Sequence, residues 1–352
     1  MKKTISLLAM IVFLSASCNF FQKQAAAGLA KTTNGGADWK FSNTIKGSTS
    51  VTLGAVNISK IGFDPQNREI VFAASYTDGL FKSEDSGETW TKILSKIGVY
   101  DFAIHAQDSK IIYAAGLYGG FGKVLKTIDS GKSWVEIFNQ QGEANAVRSV
   151  VINPQNPNQI LVGTNSGSVV KSADSGLSWM LAKDFQDRVQ RIFWQNGEIF
   201  VLLRAKGLYR AKDFAGNFDN LTPKLAKMLD MGDFSYNANA VETFNQMYVD
   251  YFTNNLIYLT TDKGLYKSTD EGSNWQLMPL PVDKNNANAR AIAIAKSSSN
   301  IVYASIGATS YKSVDGGNTW QTQSIPTTGF INYILVDPVL AQIAYAGMYV
   351  SE

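Results

Sequence analysis

The chain has 352 residues but only one cysteine, one histidine and eight prolines. One thiol excludes an internal disulfide and a cysteine-based zinc site. One imidazole excludes a multi-histidine metal centre, and a Ser-His-Asp triad would have to use His105. No metal and no cofactor is expected. No apolar run approaches the roughly 20 residues that a membrane-spanning helix needs. Lysine and arginine are not clustered, so the electrostatic footprint of a nucleic-acid binder is missing. Helical periodicity is nearly absent. The exception is Thr222-Pro-Lys-Leu-Ala-Lys-Met-Leu-Asp230, where Thr222 suits an N-cap and Pro223 the first helical position. Hydrophobic residues make up 45% and charged ones 17%, which gives material for a large core and excludes a disordered chain.

The N-terminus carries an address. Met1-Lys2-Lys3 is basic, residues 5–14 are apolar, and small residues lead to the lone Cys18. The segment Leu14-Ser15-Ala16-Ser17-Cys18 resembles a bacterial lipobox, with Ser15 where the best examples have leucine. The resemblance implies a signal peptide over 1–17, a lipid on the Cys18 thiol and a tether over 18–27. Two or three acyl chains would hold such a protein at the cell envelope, where one would not. Processing would remove Lys2 and Lys3 and lower the net charge from +3 to +1.

Six of the seven tryptophans close one short phrase, S/T-x-D/N-x-G-x-x-W. Ser83-Glu-Asp-Ser-Gly-Glu-Thr-Trp90 is typical, and the central residues of the six copies are Asn34, Asp85, Asp129, Asp174, Asp270 and Asp315. A seventh, decayed copy holds Asp213 and ends in Phe218. The closing residues fall at 39, 90, 134, 179, 218, 275 and 320, a repeat of about 45 residues that points to a propeller when the units are all-β. Each unit reads as four short strands with Gly, Asn, Asp and Pro at the turns, such as Asp64-Pro-Gln-Asn and Asn153-Pro-Gln-Asn. Gly116-Leu-Tyr-Gly-Gly-Phe-Gly122 lacks a phosphate-loop lysine and reads as a hairpin.

The phrase resembles the Asp-box, or BNR repeat, over residues 28–352. The expected fold is therefore one all-β, seven-bladed propeller of four-stranded antiparallel blades, with an insertion over 219–245 between blades 4 and 5. The resemblance implies that the Asp-box carboxylates are turn staples, on the face opposite the ligand site. The chain stops where a phrase would begin, and an orphan phrase opens it. The last blade is thus expected to take three runs, the third beginning at Gly347, from the C-terminus, and its outer strand from the N-terminus.

In such a ring the first strand of each blade lines a central channel. Counting five residues back from each strand-one turn puts Ser59, Tyr100, Arg148, Gln190, Tyr248, Arg290 and Asn332 at the channel mouth. These polar groups, with two arginines in phase, suit a small anionic or glycan ligand. Phe234, Tyr236 and Phe244 in the insertion read as an exposed aromatic set, and Trp194 as core of blade 4. His105 falls at a turn and reads as structural.

Relatives with this box include sialidases, with a three-arginine clamp, of which Arg148 and Arg290 supply two with no third in phase. Xyloglucanase-like hydrolases use two propellers, and this chain has repeats for one. The acids Asp101, Glu143, Asp187 and Glu242 show no acid/base motif, with Asp101 and Glu143 the weak catalytic alternative. The sortilin N-terminal and photosystem II assembly factor propellers are binding scaffolds, although the latter's G-W-x-V-G strand is missing here. The favoured expectation is a non-catalytic, lipid-anchored propeller that binds a protein or glycan, and the alternative is a glycoside hydrolase.

Overall fold

The computed structural model describes residues 27–350, apart from 49, 51, 141, 143, 144, 196, 222–243, 251–254, 284 and 285. Cys18, Glu143, Glu242, Phe234, Tyr236 and the helix read at 222–230 lie outside the described residues.

The protein is a seven-bladed β-propeller. Seven sheets of four antiparallel strands stand in a ring, and the first strands of successive blades touch all the way round. The helical structure among the described residues is confined to the single turn Leu53–Ala55 and to Asn286. The first strands are Ile58–Phe63, Gly98–Ile104, Val147–Ile152, Val189–Gln195, Phe244–Val249, Ala289–Ala295 and Phe330–Val336. Second strands such as Val71–Ser75 and Ile160–Thr164 are buried along their whole length between neighbouring blades. Their apolar, β-branched runs suit a strand covered on both faces. Fourth strands such as Gln321–Ser324 are polar and exposed, which blunts the outer edges of the ring.

The repeated phrase makes one turn six times over. In blade 1 the Ser83 hydroxyl donates to Asp85 Oδ1 at 2.7 Å and accepts the Gly87 N–H at 2.8 Å. Asp85 in turn accepts from the Thr89 N–H and hydroxyl. The same bonds recur around Asp129, Asp174, Asp270 and Asp315, with the Asn274 amide in place of the hydroxyl at Asp270. Bonds from the Ser133 and Ser178 side chains and backbone pull the carboxyls of Asp129 and Asp174 down to about 2. The residue before the conserved glycine is left-handed, at φ 58° for Ser86 and 62° for Ser130, and the glycine follows at 86° or 88°. Around Asn34 the Thr32 hydroxyl, the Gly36 N–H and the Asp38 N–H make the same three bonds, with the Asn34 amide donating to Asp38, and Asp213 accepts the Ala215 N–H.

The tryptophans tie blade to blade. Trp134 Nε1 donates to Ile93 O and Trp179 Nε1 to Ile137 O, each on the outer strand of the preceding blade. Trp90 Nε1 reaches Ser42 O, just past the outer strand of blade 7, with its ring fully buried. Trp90→Ala is therefore expected to lower stability by about 3–5 kcal/mol, more than Trp134→Ala at its half-exposed site, as read from urea midpoints. Phe218 has no donor and packs edge-on against Phe185.

Ring closure differs from the expected split. Blade 7 takes two strands from each end of the chain: Phe330–Val336, Ala344–Tyr349, Gly28–Thr32 and Lys40–Phe41. Gly347 lies inside the second strand, opposite Leu29, and does not open a third. The glycine-led third strand is Gly28-Leu-Ala-Lys-Thr32, the counterpart of Gly79-Leu-Phe-Lys-Ser83. In blade 2, Gly119 and Gly120 form the two-residue hairpin loop, with φ of 60° and 86° that only glycine adopts freely at both positions.

Candidate functional site

Every first strand carries a register break near its start, where it begins at the channel mouth. The breaks span Ile58/Lys60, Val99/Asp101, Val147/Ser149, Val189/Arg191, Phe244/Gln246, Ala289/Ile292 and Ile331/Tyr333. The extra residues are Ser59, Tyr100, Arg148, Gln190, Asn245, Arg290 and Asn332, with Ala291 beside Arg290. A bulge takes its residue out of the alternating pattern and re-aims the side chain. That is how one turn of a ladder delivers a ring of polar groups to the mouth.

A small cavity at this mouth is lined by Tyr100, Arg148, Gln190, Arg290 and Asn332, together with Asn245. The expected Tyr248 is a correction. It sits three residues deeper, facing the channel below, and Asn245 takes the bulge in blade 5. The strand-one turn there is Asp250, whose N–H bonds Leu256 O as Asp64 N–H bonds Ile70 O. Asp250 lacks the following proline that marks Asp64, so the strand was read out of phase. Ser59 is fully buried and donates to Val99 O, so it links blades 1 and 2 and does not face a ligand.

The next ring inward closes the mouth. Arg191 reaches from blade 4 to Ser59 O at 3.0 Å and Tyr100 O at 3.2 Å, and lies 3.7 Å from Asp101. Asp101 also binds Lys60 at 2.6 Å, accepts the Ser149 hydroxyl and accepts the Val150 N–H. Burial alone would raise the Asp101 carboxyl, but Lys60 and Arg191 outweigh it and hold the group below the usual carboxylate range. Gln246 donates to Asn332 O and accepts the Ile292 N–H. Arg191 and Gln246 line both the mouth and a lower cavity of about 510 Å³, so they form the floor of one and the roof of the other. Val151, Phe193, Tyr248, Ala293 and Leu335 are among the residues that line that lower space.

Around the mouth stand four rings. Tyr76 lies 5.3 Å from Tyr100 and 5.5 Å from Tyr349, and Tyr349 lies 5.2 Å from Phe330. The Arg148 guanidinium rests 4.9 Å above the Tyr100 ring and that of Arg290 3.7 Å above Phe330. Burial pushes both guanidiniums down, although an arginine so placed stays charged. No carboxylate lines the mouth cavity among the described residues.

Of the candidate acids, Asp101 is thus a buried, fully engaged ion-pair member. Asp187 accepts the N–H groups of Ala205 and Lys206 at 2.8 and 2.6 Å. His105 Nδ1 accepts from the N–H groups of Gln107 and Asp108, the bonds that Asp64 accepts from Gln66 and Asn67. Phe244, expected to be exposed, is fully buried in the blade 4–5 core. Trp194 is half-buried, stacked on Phe214 and open to the lower cavity. Arg191 and Gln246 were missed by the sequence reading. Each directly follows a mouth residue, a signal that register alone would have given.

No family model matches the chain. A xyloglucanase of Acetivibrio thermocellus, Xgh74A, is 25% identical over 147 residues, 36% of this chain and 17% of that protein. The chain thus spans about a sixth of the length of the curated relative it matches. Among solved structures, the GH74 xyloglucanase from Xanthomonas campestris superimposes with a TM-score of 0.66 at 16% identity, over 84% of this chain and 51% of that one. YCF48 bound to D1 peptide gives 0.60 at 17% identity, over 84% and 93%. YCF48 from Cyanidioschyzon merolae gives 0.60 at 13%, over 83% and 95%. At these identities the likeness is one of fold.

Proposed function

We propose that the chain is a non-catalytic binding propeller, lipid-anchored through Cys18 after export, that takes a protein or glycan partner at the bulged mouth. The repeated phrases are read as Asp-boxes that staple the opposite face. One observation carries the reading. The mouth presents cations, amides and phenols and no described carboxylate, and Asp101 beneath it is buried and held by Lys60 and Arg191. A glycosidase needs two opposed carboxyls about 5–10 Å apart with room for sugar and water. A single propeller with nearly full overlap on YCF48, a protein solved with a peptide bound, also supports a binding role. The weak Xgh74A match favours the alternative, a glycan hydrolase.

The test joins a glycan array and a peptide array with a turnover assay on xyloglucan. The expected result is binding that Tyr100→Ala abolishes, with no release of sugar. Turnover that is lost on replacing Asp101 or Glu143, in variants that remain folded, would replace the scaffold reading with the hydrolase.

A further inference from the structure

Arg148 and Arg290 enter one cavity from blades 3 and 6, and neither forms an ion pair with a described carboxylate. The third arginine there, Arg191, is committed to Asp101 and to two carbonyls. Arg148 Nε is out of solvent with no hydrogen-bond partner. Beside it, Gln190 is 7% exposed; its Nε2 donates to Phe244 O, while its Oε1 has no partner. A buried guanidinium N–H without an acceptor and a buried amide oxygen without a donor are both costly. Both costs are relieved by a single ligand that brings an acceptor to one and a donor to the other. The Tyr100 and Phe330 rings fix the planes of the two guanidiniums, so the donors are set before the ligand arrives.

Building on the binding role proposed above, we propose that the mouth is an oxyanion site. Its ligand group is a carboxylate whose neighbouring carbon carries an N–H or O–H. The carboxylate oxygens sit between Arg148 and Arg290, and the adjacent N–H or O–H donates to Gln190 Oε1. The space is small, about 60 Å³, which admits one acid group end-on and leaves the rest of the ligand on the aromatic rim of Tyr76, Tyr349 and Phe330. An N-acyl amino acid, such as a chain end, and an α-hydroxy acid both present this group, and probes separate them.

The experiment measures the thermal midpoint of the full chain at constant ionic strength. The probes are N-acetylglycine, glycolate, acetate and the neutral N-acetylglycinamide. At about 10 mM, N-acetylglycine or glycolate is expected to raise the midpoint by about 2–4 °C. Acetate, with no donor, should do less, and the neutral amide nothing. The Arg148→Gln/Arg290→Gln variant should lose the response, and Gln190→Leu should erase the preference over acetate. Which of the two acids acts names the source. A response to the neutral amide equal to that of the acid, an unchanged response in the double-arginine variant, or no response to any acid overturns the oxyanion site. Array binding that still depends on Tyr100, in a chain that ignores every acid, would sink this inference while leaving the binding role intact.

Discussion

A chain that stops at Val339 is expected to show no cooperative unfolding transition. The missing strand, Ala344–Tyr349, is the strand that pairs the C-terminal part of blade 7 with its N-terminal part. It pairs with Phe330–Val336 on one side and with Gly28–Thr32 on the other. Ala344, Tyr345, Ala346 and Met348 are all 1% exposed or less. Tyr345 enters the core shared with blade 1, and its hydroxyl donates to Ser86 O in the neighbouring turn. Val350 exchanges two bonds with the Asn57 side chain at the entry to blade 1. Each large apolar side chain lost from burial removes about 1.5–3 kcal/mol, and the N-terminal hairpin loses its partner at the same time. The total rivals the whole stability of a domain, about 5–15 kcal/mol. Calorimetry of the truncated chain tests this, and a midpoint equal to that of the full chain would show that the ring does not depend on its closure. The companion experiment keeps every strand. A permuted chain that begins at Lys46 and carries 27–45 directly after Val350, so that Tyr349, Val350 and Ala27 form the turn between Met348 and Gly28, should melt as the parent does. The join copies the natural step from Ser75 to Gly79 in blade 1.

The fold was legible because its signals are local and repeated. A phrase that fixes two left-handed residues and buries a tryptophan leaves little freedom in what precedes and follows it. Six of the seven bulge residues could be placed by counting from a turn, because the strand length between bulge and turn is constant. The count failed at Asp250, a turn that makes the same backbone bond without a proline to announce it. The closure was read with the wrong split because Gly347-Met-Tyr-Val-Ser resembles a third strand in composition, and only the register against Leu29 distinguishes it. The floor of the mouth was legible in position, since each of its residues follows a bulge residue, but not in contact. Lys60, Asp101 and Arg191 come from three blades, and nothing near any of them in the sequence says that they meet. Asp101 therefore read as a candidate acid, when its place is to neutralise two cations.

That role has a measurable consequence. Asp101→Ala is expected to lower stability by about 3–5 kcal/mol, because Lys60 and Arg191 remain in the channel with no counter-charge. The triple variant Lys60→Met/Asp101→Leu/Arg191→Met removes charge on both sides and should recover most of that loss, since apolar groups can replace a buried ion cluster. Acid supplies the independent check. The folded-state carboxyl of Asp101 lies below its unfolded value of about 3.9, so its contribution is present above that pH and disappears as pH falls through the lower, folded value. Urea midpoints should therefore decline more steeply below about pH 4 in the parent than in the triple variant, with the two curves converging as the carboxyl takes up its proton. A catalytic acid would behave otherwise. Its removal would abolish turnover and leave the midpoint nearly unchanged, or raise it, because a carboxyl poised for proton transfer is not the anchor of two cations. The midpoint of Asp101→Ala thus separates a structural ion pair from an active-site acid before any substrate is known.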